Sequence, residues 1–144
     1  MSFDDLQKLI KDGDIISLRR ELDEGTSANL SNRFSWTLLM LAAIEGNLPM
    51  AELLISRGAD VNAVNDFGET ALSLAACAGR IRLVRAVLAK GSFTDCEPRG
   101  QSLENWLKVS SGLPQDKIES ILEIIVGAKS RKTGFSPTGN RKPN

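Results

Sequence analysis

With 144 residues, 42% of them hydrophobic and 25% charged, the chain has the length and composition of one soluble globular domain. Its 18 acidic and 18 basic residues cancel, and the absence of histidine removes both the Ser–His or Cys–His base pairs of nucleophilic enzymes and imidazole-ligated zinc. All the acidic residues precede Gly127, whereas Lys129, Arg131, Lys132, Arg141 and Lys142 follow it, so an acidic body carries a basic tail.

Other classes fall away on local grounds. No apolar run approaches the roughly 20 residues of a membrane span, and the acidic start Met1-Ser2-Phe3-Asp4-Asp5 is unlike a secretory signal. Cys77 and Cys96 form neither a metal motif nor a disulfide framework, which predicts free thiols in a reducing intracellular compartment, cytoplasmic or nuclear. Gly127-Ala128-Lys129-Ser130 echoes only the end of a phosphate-binding loop. Asp12-Gly13-Asp14 lacks the other ligands of a calcium loop. No catalytic residue, metal site or cofactor is assigned.

Taken in chain order, Leu6, Leu9 and Ile10, then Ile15, Leu18 and Leu22, make two helical stripes around the turn Asp12-Gly13-Asp14. Residues 26–36 lack helical period and carry turn formers, with Ser35 placed to cap a helix starting near Thr37. Leu39, Ala42 and Ala43 face inward on that helix. Pro49 opens the next one, which carries Met50, Ala51, Leu54 and Ile55 and stops at Gly58. After a connector over 59–68, Leu72, Ala75 and Ala76 repeat the inner face, and Ile81, Leu83, Val84, Val87 and Leu88 the outer one. Arg80, Arg82, Arg85 and Lys90 point outward, as a solvated face or a basic docking patch. A fourth, degenerate pair begins at Gln101 and contains Trp106, expected in the core. Pro114 opens its second helix, in which Ile118, Ile121, Leu122 and Ile125 follow the helical period, and Gly127 is expected to end it. The remaining polar, basic, Gly- and Pro-containing stretch is expected to be disordered. The domain reading is therefore a folded body over 1–127 and a tail over 128–144.

One segment is written twice. Thr37-Leu38-Leu39-Met40-Leu41-Ala42-Ala43-Ile44-Glu45-Gly46 returns 33 residues later as Thr70-Ala71-Leu72-Ser73-Leu74-Ala75-Ala76-Cys77-Ala78-Gly79, and the offset carries Gly13 to Gly46 and Gly25 to Gly58 to Gly91. A fixed period of this size is the mark of a stacked repeat array, in which each unit buries its apolar face only against its neighbour. The fold class is all-α: a helical repeat solenoid of about four units, two clear and central, two degenerate and capping.

Gly68-Glu69-Thr70-Ala71-Leu72, Ala75-Ala76 and Gly79, together with Gly46, Leu53-Leu54 and Gly58-Ala59-Asp60-Val61-Asn62-Ala63, resemble the ankyrin repeat. The family's proline is replaced by Leu38 and Ala71, its turn-bracing histidine by Met40 and Ser73, and its second histidine by Asn47 and Arg80. The resemblance implies inner helices lining a concave groove, outer helices behind them and turns projecting as fingertips. It also implies a non-enzymatic function, the binding of another protein by an adaptor, scaffold or inhibitor that is monomeric until it meets its partner, with no small-molecule substrate and no membrane.

Carried over by position, the contact residues are Arg33, Phe34, Trp36, Ile44 and Glu45 in the second unit, Asp66, Phe67, Glu69, Cys77 and Ala78 in the third, and Arg99 and Gln101 in the fourth, beside Pro98. Phe34, Trp36, Ile44 and Phe67 would form an apolar centre, rimmed by Arg33, Glu45, Asp66 and Glu69. Against this, Phe34 and Trp36 could seal the irregular junction between the first two units. The alternative function is binding of nucleic acid or an acidic surface by the basic tail; five charges would give weak, salt-sensitive affinity, without the aromatic interleaving of a base-stacking surface.

Overall fold

The structure, a computed structural model, describes residues 2–132, with side-chain surroundings through Lys129. Among the described residues the chain forms eight α-helices and a 3₁₀ turn, and its only β pairing is an isolated bridge between Ser31 and Thr37. The helices come in pairs: α1 (Phe3–Asp12) with α2 (Ile15–Asp23), α3 (Leu38–Glu45) with α4 (Leu48–Ser56), α5 (Ala71–Cys77) with α6 (Ile81–Ala89), and α7 (Leu103–Ser110) with α8 (Gln115–Lys132).

These helices are short, and short helices are marginal on their own, so their ends and contacts hold them. Most open on a side-chain cap. Ser2 accepts from the Asp5 N–H at 3.3 Å while Asp5 accepts from the Ser2 N–H at 3.2 Å. Asp14, Thr37, Asn47, Thr70 and Ser102 cap α2, α3, α4, α5 and α7 in the same sense. The expected cap at Ser35 is corrected: Thr37 accepts from the Met40 N–H at 3.2 Å, and Ser35 lies in the preceding turn with φ +65°.

The odd-numbered helices pack side by side in one row, and the even-numbered ones form a second row behind them. Between the rows runs a continuous core from Leu6, Ile10 and Leu18, through Leu39, Ala42, Ala43, Met50 and Leu54, then Leu72, Ala75, Ala76, Leu83, Val84 and Val87, to Leu107, Ile118 and Ile121. Ala42, Ala43, Ala75 and Ala76 recur on the inner row because small side chains let neighbouring helices approach closely. Trp106 packs on the core half-buried. Arg80, Arg82, Arg85 and Lys90 are exposed, and Arg80 ties two units together by donating from Nε to the Ile44 carbonyl at 3.2 Å.

The connectors are hydrogen-bonded to one another. Asn29 donates to the Gly58 carbonyl at 2.9 Å and accepts from the Asp60 N–H at 2.8 Å. Asn62, 33 residues on, does the same to Gly91 at 3.3 Å and Phe93 at 2.7 Å. Each asparagine thus satisfies backbone groups of the next connector that no helix could satisfy.

The expected stop at Gly127 is also corrected. Helix α8 passes through Gly127 to Lys132, and Ala128 is buried on its inner face. The first five residues of the expected disordered segment are therefore helical, and 133–144 lie outside the described residues.

Candidate functional site

The turns between helix pairs carry most of the candidate residues. In the first, Asn32 shapes a tight loop: its N–H donates to the Trp36 carbonyl at 3.0 Å, and its side-chain oxygen accepts from the N–H groups of Phe34 at 2.9 Å and Trp36 at 3.0 Å. Asn65 repeats this, donating to the Glu69 carbonyl at 3.0 Å and accepting from Phe67 at 2.9 Å and Glu69 at 3.0 Å. An asparagine two residues before a phenylalanine therefore sets each ring at a loop tip. The loops also bond to each other, with the Asp66 N–H donating to the Phe34 carbonyl at 3.0 Å and the Arg99 N–H to the Phe67 carbonyl at 2.8 Å.

These bonds line four side chains into a column. The Phe34 and Phe67 rings are 6.3 Å apart, centre to centre, and tilted by 35°. The guanidinium of Arg33 lies 4.7 Å from the Phe34 ring centre, and that of Arg99 lies 4.5 Å from the Phe67 ring centre. Both distances are within reach of cation–π attraction, and the ring pair is in the range of favourable aromatic contact. Phe34 is 42% and Phe67 37% exposed, so the fold leaves both rings partly in water.

Glu69 does not rim this patch. It is only 5% exposed, accepts from the Asn65 amide at 3.0 Å and lies 3.5 Å from Arg99 Nε. A carboxylate taken out of water needs such partners, and here they brace the base of the second loop beneath Arg99. The exposed rim consists of Arg33, Asp66 and Arg99, which occupy the same place in three successive loops. Trp36 is half-buried where Glu69 stands in the next unit; Gln101, also half-buried, accepts from Asn105 near the start of α7, and Pro98 is buried.

The remaining candidates lie at the far ends of α3 and α5, about 10 Å from the loops at 1.5 Å per residue. Ile44 is half-buried and Glu45 exposed at the end of α3; Cys77 is half-buried and Ala78 exposed at the end of α5. Burial pushes the Cys77 thiol up to about 12, the Glu69 carboxylate adds to the rise, and a hydrogen bond from Trp106 opposes it. A thiol so placed is a packing group, not a nucleophile. No group of three or more His, Cys, Asp or Glu side chains able to hold a metal occurs among the described residues, and no described helix is long and apolar enough to cross a membrane.

Sequence reasoning named all four residues of the column but not the pairing of its rings or the stacking of its arginines. It missed Asn32 and Asn65, whose signal was present in their 33-residue offset and their shared spacing to Phe34 and Phe67.

Paired helices in two rows, with hydrogen-bonded loops between the pairs, define a helical repeat protein. Residues 6–98, well over half the chain, match the family described as ankyrin repeats, in three copies. The chain belongs to the ankyrin-repeat family. Ankyrin repeats are generally protein–protein interaction modules and typically non-enzymatic. No individual curated protein matches the sequence.

Proposed function

We propose that the protein is a non-enzymatic adaptor, scaffold or inhibitor, cytoplasmic or nuclear, that holds one partner protein against the fingertip column and the far ends of α3 and α5. The observation that carries this reading is the Phe34–Phe67 pair: two adjacent aromatic rings left 42% and 37% exposed at loop tips. Exposed apolar groups gathered in one place are characteristic of interaction surfaces, and aromatic anchors with arginine commonly supply most of an interface's energy. Asp66, Ile44, Glu45 and Ala78 complete the surface, while Trp36, Glu69, Cys77 and Gln101 support it from below.

The test uses the intact chain and its Phe34→Ala/Phe67→Ala variant as baits in parallel, with thermal unfolding as the control. The variant should lose the specifically captured proteins. At ~2 kcal/mol per anchor, Phe67→Ala alone should weaken a purified partner by about 30-fold. Equal capture by both baits, or a variant that has largely unfolded, would make the rings a structural seal and defeat the proposal.

A further inference from the structure

Resting on that reading, we propose a specific chemistry for the partner: an extended segment with an acidic residue, an apolar residue and a second acidic residue at alternate positions. The apolar side chain sits on Phe34 and Phe67, and the carboxylates are held by Arg33 and Arg99.

The column sets an upper limit on the spacing. Laid end to end, the separations of 4.7, 6.3 and 4.5 Å put the two guanidiniums no more than about 15.5 Å apart. An extended chain advances ~3.3 Å per residue and turns every second side chain to the same face. Residues i, i+2 and i+4 therefore share a face and span about 13 Å at that rise, which fits within the limit.

Charge and exposure point to carboxylates at the ends. Arg33 is exposed and makes no ion pair among the described residues. The Arg99 side chain is 51% exposed, and its Nε lies 3.5 Å from the buried Glu69 carboxylate, longer than a direct hydrogen bond. A guanidinium lying against a ring is held in place, so less freedom is lost when its N–H groups bind a carboxylate. Asp66 stands exposed at the corresponding place in the middle loop and opposes a third acidic group at the centre of the segment. An apolar central residue avoids that charge and meets the rings.

Nucleic acid suits the column less well. A guanidinium already covers a face of each ring, and the 35° tilt between the rings leaves no parallel slot for a base.

The experiment selects a displayed library of random peptides of about twelve residues, long enough for an i to i+4 motif in an extended strand, on the full-length chain. Enriched peptides should carry Asp or Glu at i and i+4 around Leu, Ile, Val, Met or Phe. In fluorescence anisotropy with one such peptide, Arg33→Gln and Arg99→Gln should each weaken binding by roughly tenfold or more. Each variant should become indifferent to glutamine at the one acidic position it holds, and Arg33→Glu should be rescued by lysine at that position. Because Arg33 makes no ion pair among the described residues and touches only the Phe34 ring, Arg33→Gln should lower the unfolding midpoint by no more than about 2–4 °C, which keeps the test informative if Arg99→Gln loosens its loop. Enrichment of peptides without the acidic pair, no enrichment, or tighter binding of an oligouridylate with the same arginine dependence would each overturn the clamp. Apolar peptides lost on Phe67→Ala but not on the arginine changes would sink the clamp and leave the docking surface. Peptides bound equally by Phe67→Ala would sink both.

Discussion

Replacing Gly68 by alanine tests whether the loops act as a stitched column or as independent ends. Gly68 has φ +76°, and a methyl built on it would lie 2.6 Å from the Glu97 carbonyl oxygen of the next loop. Two costs follow. Holding an L-residue in the left-handed region costs ~1–2 kcal/mol. The clash is with backbone, so the third loop must move, weakening the 2.8 Å bond from the Arg99 N–H to Phe67 and the stacking of Arg99 on its ring. Those contacts are together worth about 1–2.5 kcal/mol, which with the first cost makes roughly 2–4.5 kcal/mol. Gly58→Ala is the control: φ there is +93°, but nothing lies within 4 Å of the added methyl, so only the first cost applies. Ser35, at the matching place one unit earlier, already bears φ +65°, and Ser35→Gly should be neutral or slightly stabilising. Urea unfolding of the three variants gives the comparison, and at this size 1 kcal/mol is worth about 4 °C in a thermal melt. If Gly68→Ala costs no more than Gly58→Ala, the loops are not mechanically joined, and the column loses its physical basis.

Two further predictions concern the body. Leu54 and Val87 occupy equivalent, fully buried places on α4 and α6, so Leu54→Ala should cost ~2–4 kcal/mol and Val87→Ala slightly less, whereas exposed Glu52→Ala and Arg82→Ala should each cost under ~0.5 kcal/mol; equal costs in urea melts would mean the helix facings are wrong. The Cys77 thiol, pushed up to about 12, should react with a thiol reagent at pH 8 far more slowly in the folded protein than in denaturant. Because an unfolded thiol ionises near pH 8.5 while the folded one stays neutral, this residue's contribution to stability should fall as pH rises above about 9; Cys77→Ala should lessen the fall without abolishing it, because burial raises the Cys96 thiol too.

The repeat was legible because its physics is periodic. Thr37 and Thr70, Leu39 and Leu72, and Leu54 and Val87 recur at one offset, each doing the same job in both copies. The errors fell where a job passes to a neighbour. Ser35 and Thr37 are both chemically able to cap α3, and only the loop geometry set by Asn32 decides between them. Glu69 reads as a surface charge because glutamate usually is one; its burial depends on Asn65 and Arg99, one of them thirty residues away. The column was half legible. Residue types and loop positions marked Phe34, Phe67, Arg33 and Arg99 as exposed, but their mutual stacking comes from loop-to-loop hydrogen bonds that no spacing rule encodes.

Gly127 offers the sharpest division between local sequence rule and assembled structure. A glycine after an apolar helical stripe normally marks a left-handed stop. Here Gly127 lies within α8 and is absent from the glycines with positive φ, and Ala128, immediately after it, is buried at the end of the stack. The helix continues because its inner face still has surface to cover. The two situations give Gly127→Ala opposite signs. In a helix interior alanine is better than glycine by about 1 kcal/mol, so the thermal midpoint should rise by roughly 2–4 °C. At a left-handed stop the same methyl would cost ~1–2 kcal/mol and the midpoint would fall. Gly127 is half-buried, so Gly127→Ser, a poorer helix former with a polar group to place, should gain less than alanine. A lower midpoint for Gly127→Ala would mean that α8 breaks at Gly127, and Ala128 could not then close the end of the stack.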